Sequence, residues 1–212
     1  MVTNSHFMSP TKKHLSVKER RQQLILAADT ILKQEGVVDF TIDKVVDYLG
    51  VAKGTFYKYF KSKDDILAEV CAKALNQLHN YFKLSERSHP DSIESTRAII
   101  LSSYEYSKDY PEYFELIVHM ERPELDYDAT AHKEASMQIQ NFFMGHIQKQ
   151  KDNGIIRKDV SPLLANYFCW GSSMGIMQFL DAKKAFLEET VAVTQRELLE
   201  AFVDVLIHGM KT

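Results

Sequence analysis

The stretch from Thr41 to Lys63, TIDKVVDYLGVAKGTFYKYFKSK, constrains the fold of this chain more than any other. It contains two short helix-sized segments that are separated by Gly50, and a new helix start follows at Ser62. The second segment is small, basic and aromatic. A short helix, a glycine turn and a second short helix in this order are typical of a helix-turn-helix.

Helix signals continue through the rest of the chain, and no stretch shows the sustained alternation of a half-buried strand. Ser16 and Glu19 form a capping box that starts the first helix, and Gly36 ends it. Ser161 followed by Pro162 predicts a later helix start, with serine as the cap and proline at the first helical position. The caps, glycines and prolines divide the chain into about nine helices, near residues 17–36, 42–49, 52–60, 63–84, 91–110, 111–122, 128–153, 162–182 and 187–208.

These signals predict an all-α fold with an N-terminal three-helix helix-turn-helix head and a larger six-helix body. We expect a flexible N-terminal tail over residues 1–14, a head over residues 15–62 and a body over residues 63–212. The polar stretch 85–92 is predicted to be a linker within this second part. No run reaches the roughly 18 apolar residues of a membrane-spanning helix, and the first residues lack the apolar core of a signal peptide.

Charge is divided unevenly between the two parts. Residues 1–63 hold eleven Lys and Arg against six Asp and Glu, a net charge of +5, whereas the remainder has a net charge of −8. A basic head indicates a polyanion partner for the head alone, and the acidic body orients its approach. Cys71 and Cys169 lie far apart, each inside a helical pattern, so we expect two free thiols in a reducing cytoplasm.

The residue types of the helix-turn-helix suit DNA. Thr41 offers a hydroxyl at a helix N-terminus, which is a good phosphate site, and Thr55 has a hydroxyl and a methyl group for a base edge. Gly54 lets the backbone come close to the groove. The basic residues Lys12, Lys13, Lys18, Arg20 and Arg21 form an arm that either reaches the adjacent groove or backbone or is a disordered basic tail.

The segment from Leu24 to Leu67 resembles the DNA-binding region of TetR-family transcriptional regulators. The resemblance is dense over about a quarter of the chain, and the turn GIIRKDVSP over residues 154–162 is also similar to the family's connection before its eighth helix. The residues that carry it are Ala27-Ala28, Gly36, Thr41, Gly50-Val51, Lys53-Gly54-Thr55-Phe56-Tyr57, Tyr59-Phe60 and Ser62-Lys63-Asp64.

The resemblance implies a dimeric repressor that binds a palindromic operator in double-stranded DNA and is released by a small-molecule effector. Bases would be read from Lys53 to Tyr57, and Tyr59 and Lys63 would join Thr41 on phosphates. For Lys44 and Lys58, a phosphate contact and a solvated charge are equally good interpretations. The predicted DNA-binding residues are Thr41, Lys44, Lys53, Gly54, Thr55, Tyr57, Lys58, Tyr59 and Lys63.

The resemblance also implies a homodimer formed by the last two helices, where Gly171 and Gly175 lie four residues apart, and a small-molecule pocket in the body. The aromatic and methionine-rich middle helices suit an apolar or aromatic effector, although such residues pack into a core more often than they line a pocket. The predicted ligand-binding residues are Tyr104, Tyr113, Ile117, Met120, Phe142, Phe143, Trp170 and Met174.

Two other classes of function are alternatives to an effector-controlled regulator. An enzyme is disfavoured because no glycine-rich phosphate loop, nucleophile elbow or metal-ligand spacing is present, and no metal or cofactor is predicted. A helix-turn-helix activator or nucleoid-type factor that acts through protein partners, with no effector pocket, shares every feature of the head. An enclosed cavity in the body would distinguish the effector-controlled regulator from this alternative.

Overall fold

The computed structural model of this chain describes residues 16–125, 127 and 130–212, and the predicted tail of residues 1–14 lies outside them. The described part is all-α, as predicted, with a π-helical turn at Leu187–Val191 and an isolated bridge between Ile156 and Lys211. The helices are α1 (Val17–Asp39), α2 (Ile42–Leu49), α3 (Lys53–Phe56), α4 (Lys63–Ser88), α5 (Ile93–Asp109), α6 (Pro111–Met120), α7 (Thr130–Asp152), α8 (Pro162–Ala182), α9 (Lys184–Phe186) and α10 (Gln195–Met210).

The head begins with the predicted capping box. The Ser16 backbone N–H donates to the Glu19 carboxylate at 2.8 Å, and the Glu19 N–H donates to the Ser16 hydroxyl at 3.2 Å. These bonds satisfy donors that the first turn of a helix leaves unpaired. Gly36 has a φ of 73° and a ψ of 172°, so the helical path of α1 breaks there, before a short final turn.

The turn between α2 and α3 depends on Gly50. Its φ of 62° and ψ of 39° are left-handed, a conformation that costs other residues about 1–2 kcal/mol. The third helix is shorter than the predicted 52–60, because α3 ends at Phe56 and the chain continues as turns. In these turns the N–H groups of Tyr59 and Phe60 donate to the Phe56 carbonyl at 2.9 and 3.1 Å. Phe56 and Phe60 are both buried in the head core.

Helix α4 connects the head to the body. It packs against α1 of the head and against α5, α6 and α7 of the body. The predicted linker 85–92 is wrong in its first half, because α4 continues to Ser88. Glu86 lies in this last turn and contacts His146 of α7 at 2.9 Å, which gives the polar segment a packed partner. The predicted division at residue 62 stays a prediction, since α4 starts there and contacts both parts.

The last long helix starts later than the predicted residue 187. Between α8 and α10 the chain forms α9 and the π-helical turn, and Ala192 then adopts a left-handed φ of 56°. Thr194 and Glu197 make a second capping box, so that α10 begins at Gln195. None of the helices in the described ranges is long and apolar enough to cross a membrane. Both cysteines are free and buried, as predicted.

Candidate nucleic-acid interface and body cavity

The residues predicted to contact DNA lie between Thr41, which caps α2, and Lys63, the first residue of α4. Tyr57 is 52% exposed, which is a large fraction for an aromatic side chain. A Cβ atom at Gly54 would meet no atom within 4 Å, so the fold itself does not require glycine there. The exposed members of the set are Thr41, Lys53, Gly54, Tyr57 and Lys58, and the half-buried members are Lys44, Thr55, Tyr59 and Lys63.

Buried aromatic residues seat this surface on the head core. The Phe56 ring lies 5.5 Å from the Phe60 ring and makes an edge contact with the Tyr57 ring at 5.4 Å between centroids. The Arg21 guanidinium lies 5.0 Å above the Phe60 ring and donates to Glu69 of α4 at 2.7 Å. The Tyr57 side chain is therefore exposed while its backbone is held rigidly, and contact with bases requires both.

Two of the predicted DNA-binding lysines have acidic partners. The Lys53 ammonium lies 2.7 Å from the Asp43 carboxylate, and that hydrogen bond raises the pKa of Lys53. The Lys44 ammonium lies 2.7 Å from Glu35 and donates to the Asp39 carbonyl at 3.1 Å. Exposed ion pairs of this kind contribute at most about 1 kcal/mol, so a phosphate group can replace the carboxylate at small cost.

Lys63 is directed toward the end of α1. Its ammonium donates to the Val37 carbonyl at 3.1 Å and lies 5.6 Å above the Phe40 ring. Burial lowers the pKa of Lys63. The predicted phosphate contact stays a prediction, and the side chain would have to leave Val37 to make it.

The body contains a cavity of about 350 Å³ that is bounded by α4, α6, α7 and α8 and by the chain after α6. This volume lies in the range of small-molecule sites. A narrow slot of about 30 Å³ adjoins it, because Ile139, Asn166 and Trp170 line both. The cavity is lined by Leu75, Ile117, Met120, Glu121, Tyr127, His132, Ser136, Ile139, Gln140, Asn166, Tyr167 and Trp170.

The structure divides the eight predicted ligand-binding residues into two groups. Four of them line the cavity or the slot: Ile117, Met120, Phe143 and Trp170. The other four, Tyr104, Tyr113, Phe142 and Met174, lie outside both linings. Helix packing explains the difference, because these four side chains contact other elements or belong to the core.

Tyr113 is the clearest correction among them. Its hydroxyl donates to the Asp29 carboxylate of α1, so this aromatic joins the body to the head. Lys33 and Lys73 also contact Asp29, at 3.2 and 2.7 Å. Burial alone would raise the pKa of Asp29, but the hydrogen bonds from Lys73 and Tyr113 and the two positive charges outweigh it and lower the pKa.

Among the described residues, the cavity lining combines aromatic side chains with one carboxylate, that of Glu121. The Trp170 indole N–H donates to Glu121 at 3.2 Å. The Tyr127 hydroxyl lies 3.3 Å from the His132 Nδ1, and burial lowers the pKa of His132 below its ordinary value of 6.5. Burial therefore favours the neutral form of the His132 imidazole. Beyond Tyr127 and His132 the cavity meets an outer groove that Arg122 and Lys133 line.

Comparison with known proteins places the head in a family. Residues 24–70, from within α1 to α4, match the family model described as "Bacterial regulatory proteins, tetR family". These residues therefore form a DNA-binding region of the TetR type. The match covers α1 from Leu24 onward, the Gly50 turn and the Phe56–Phe60 core.

Individual relatives agree with this assignment. "Nucleoid occlusion factor SlmA" of Actinobacillus pleuropneumoniae is 28% identical over 97 residues, which are 45% of this chain and 48% of that protein. This chain thus spans about half the length of that relative. "HTH-type transcriptional repressor KstR2" of Rhodococcus jostii is 24% identical over 156 residues, covering 70% of this chain and 74% of that protein.

A solved structure shares the fold over most of the chain. It is the transcriptional regulator FadR from Bacillus subtilis, in complex with stearoyl-CoA, with a TM-score of 0.60 and 18% identity. The alignment covers 88% of this chain and 95% of that one. At this identity the likeness concerns the fold alone.

Two features of the TetR-type head differ from the sequence reading. Tyr48 on α2 is 57% exposed near the predicted surface and was missed. The signal was available, since Val45, Val46 and Leu49 occupy the inner positions of α2 and leave residue 48 outward. Arg21, predicted as part of the basic arm, turns inward to Glu69 instead. Lys12 and Lys13 lie outside the described residues.

A stripe of exposed apolar and small residues runs along α8 beside α10. Leu164 and Phe168 are 69% and 64% exposed, and Val205 of α10 is 73% exposed. A Cβ atom at Gly171 or Gly175 would meet nothing within 4 Å. Large exposed apolar patches mark interaction sites. The sequence alone does not show which face of these two helices is exposed and which is packed against the body.

Proposed function

We propose that this protein is a TetR-family DNA-binding transcriptional regulator that acts as a homodimeric repressor on a palindromic operator and is released by a small-molecule effector. The observation that carries the proposal is the exposed surface of α3 and the turn after it, where Lys53, Gly54 and Tyr57 lie on a rigid aromatic core. A cytoplasmic location accompanies this function.

The dimer is supported by the apolar stripe on α8 and α10. One helix-turn-helix reads only a few base pairs, at about 1–3 kcal/mol for each good contact. Two heads on a two-fold axis double the site and require half-sites about 34–36 Å apart, one turn of DNA. The side chains of Leu164, Phe168 and Val205 would be covered by the same surface of the second subunit.

Effector release is supported by the cavity and by its connection to the head. Ile117 and Met120 line the cavity, and Tyr113 of the same helix contacts Asp29 of the head. An effector that displaces α6 would therefore move α1 as well as α4. The effector must bind the released state more tightly, and a tenfold loss of DNA affinity needs about 1.4 kcal/mol of coupling.

The similarity to SlmA supports the second candidate function, a nucleoid-type factor that acts through protein partners. That relative is named a nucleoid occlusion factor, and the similarity covers 45% of this chain. The cavity of about 350 Å³ favours the effector-controlled repressor, because a factor without an effector has no need of it.

Selection from a random pool of double-stranded DNA tests the DNA-binding part. We expect a palindrome with half-sites one helical turn apart. Tyr57→Ala should remove the preference for the selected site over random DNA at constant salt. Loss of one good base contact costs about 1–3 kcal/mol per head, or roughly tenfold or more in affinity.

Met137→Ala is the matched control, because Met137 is 50% exposed on α7 of the body. It should bind the selected site like the wild type. A Tyr57→Ala variant that keeps the full preference for the selected site would refute the assigned interface. A selection that returns no palindrome would refute the two-fold operator.

A further inference from the structure

We propose that the body cavity binds a hydrophobic monocation, such as an amine or a quaternary ammonium ion with an apolar body, and that Glu121 is its counter-charge. This inference rests on the proposed function only in assuming that the cavity holds a ligand. It specifies a ligand charge that differs from that of the stearoyl-CoA bound by the FadR of Bacillus subtilis.

The first step concerns the charges that face the ligand. Among the described residues that line the cavity, Glu121 is the one carboxylate and no lysine or arginine is present, while burial lowers the pKa of His132 and disfavours its charged form. Arg122 and Lys133 line the outer groove and not the cavity. From the described part of the lining, a ligand in the cavity therefore meets one carboxylate.

The second step concerns desolvation. Glu121 is exposed to water, and the Trp170 indole N–H donates to its carboxylate at 3.2 Å. A ligand that fills the cavity displaces this water and leaves the carboxylate with a single neutral donor. Covering a carboxylate is costly unless a positive charge or several donors replace the water. A cation on the ligand supplies that replacement, whereas an anion adds repulsion.

The third step concerns the aromatic rings. Trp170, Tyr127 and Tyr167 line the cavity together with Glu121. Aromatic faces attract ammonium and quaternary ammonium groups through the ring quadrupole, most strongly for tryptophan. The apolar side chains of Leu75 and Ile117 line the same cavity and can hold the hydrocarbon part. The cavity thus combines the three components of a hydrophobic-cation site.

The experiment uses the fluorescence of Trp170, which is the single tryptophan of the chain and lines the cavity. The full-length protein is titrated with decyltrimethylammonium, 1-decanol and decanoate, which share an alkyl chain and differ in charge. We expect the cation to change the fluorescence with at least about tenfold higher affinity than decanol, and decanoate to bind most weakly.

Glu121→Gln should lower the affinity for the cation about tenfold relative to the wild type. The affinity for decanol should change by less than about threefold, because the amide oxygen still accepts from Trp170. Glu124→Gln is the matched control, since Glu124 is exposed in the same segment and does not line the cavity. It should retain the wild-type order. A wild type that prefers decanoate, or a Glu121→Gln variant that keeps the preference for the cation, overturns the inference.

Absence of any fluorescence change with all three compounds also overturns it, and leaves the DNA-binding part of the proposed function intact. Conversely, cation binding that leaves the affinity for the selected DNA unchanged supports the site and refutes effector release. The two failures are therefore distinguishable in the same set of measurements.

Discussion

At the scale of single residues, His146 shows how burial changes the pKa of a side chain. Its side chain joins three helices: Nδ1 lies 2.9 Å from Glu86 of α4, and Nε2 lies 2.9 Å from the Thr96 hydroxyl of α5. The residue is 3% exposed. Burial lowers the pKa of His146, and the hydrogen bond that Nδ1 donates to the Glu86 carboxylate offsets only part of this effect.

A histidine with a lowered pKa in the folded state makes stability depend on pH. Below the unfolded pKa of about 6.5 the unfolded chain binds more protons than the folded one, so the free energy of unfolding falls as the pH falls. We expect the free energy of unfolding, measured with urea, to decrease between pH 7 and pH 5. His146 contributes at most about 1.4 kcal/mol per pH unit.

His146→Gln should flatten this decrease, because glutamine does not titrate. His208→Gln is the control, since His208 is exposed and should leave the slope as in the wild type. A slope that is unchanged in His146→Gln would show that the burial of this imidazole does not control the pH dependence.

At the scale of elements, α6 connects the cavity to the head. Tyr113 faces α1, whereas Ile117 and Met120 lie four and seven residues further along and line the cavity. A helix is stiff over this length, so a displacement at one end reaches the other. The bond between Tyr113 and Asp29 is therefore the contact through which we expect α6 to act on α1.

Tyr113→Phe should lower the free energy of unfolding by about 1.5–3 kcal/mol, because it removes a hydrogen bond to a buried carboxylate. Amide hydrogen exchange should increase in α1 and α6. Both quantities are measured on the full-length protein, by urea unfolding and by exchange mass spectrometry.

Tyr81→Phe provides the matched control within the body. The Tyr81 hydroxyl donates to Asp109 at 2.6 Å in an exposed position, so its loss should cost less than about 1 kcal/mol and leave exchange in α1 unchanged. Equal effects of the two substitutions would contradict a special role for the contact between α1 and α6.

At the scale of the whole molecule, the position of the two heads depends on the proposed dimer. Phe168 projects from the middle of the stripe on α8 and is 64% exposed. Phe168→Asp places a charge in an interface that we expect to be apolar. The dimer should dissociate at micromolar concentration, and each subunit should stay folded because the side chain is exposed in the single chain.

Sedimentation velocity measures this dissociation, and circular dichroism checks the fold. Leu84→Asp is the control, because Leu84 is 63% exposed on α4 and lies away from the stripe. It should sediment like the wild type. A Phe168→Asp variant that remains dimeric would place the interface elsewhere.

Much of the head could be predicted because its signals are local. The Ser16–Glu19 capping box, the left-handed Gly50 and the buried pair Phe56 and Phe60 each act within a few residues, so the order of residues specifies them directly. The length of α3 could not be predicted, because residues 57–60 form turns whose aromatic side chains fit either conformation.

The cavity could be predicted only in part, since its lining comes from residues far apart in the chain. Aromatic composition identified Trp170 and Phe143 but also Tyr113, which faces the head, and it did not identify Glu121 or Tyr127. Helical periodicity gives the spacing of a face, but not which neighbouring helix it meets.

The sequence by itself determined the all-α fold and the helix-turn-helix, because caps, glycine turns and periodic apolar positions act over one or two helical turns. Only the tertiary structure decided that Tyr113 faces Asp29, that Glu121 faces the cavity and that Phe168 faces outward. These directions depend on how α1, α6 and α8 are placed by the packing of the whole chain, and no local interaction specifies them.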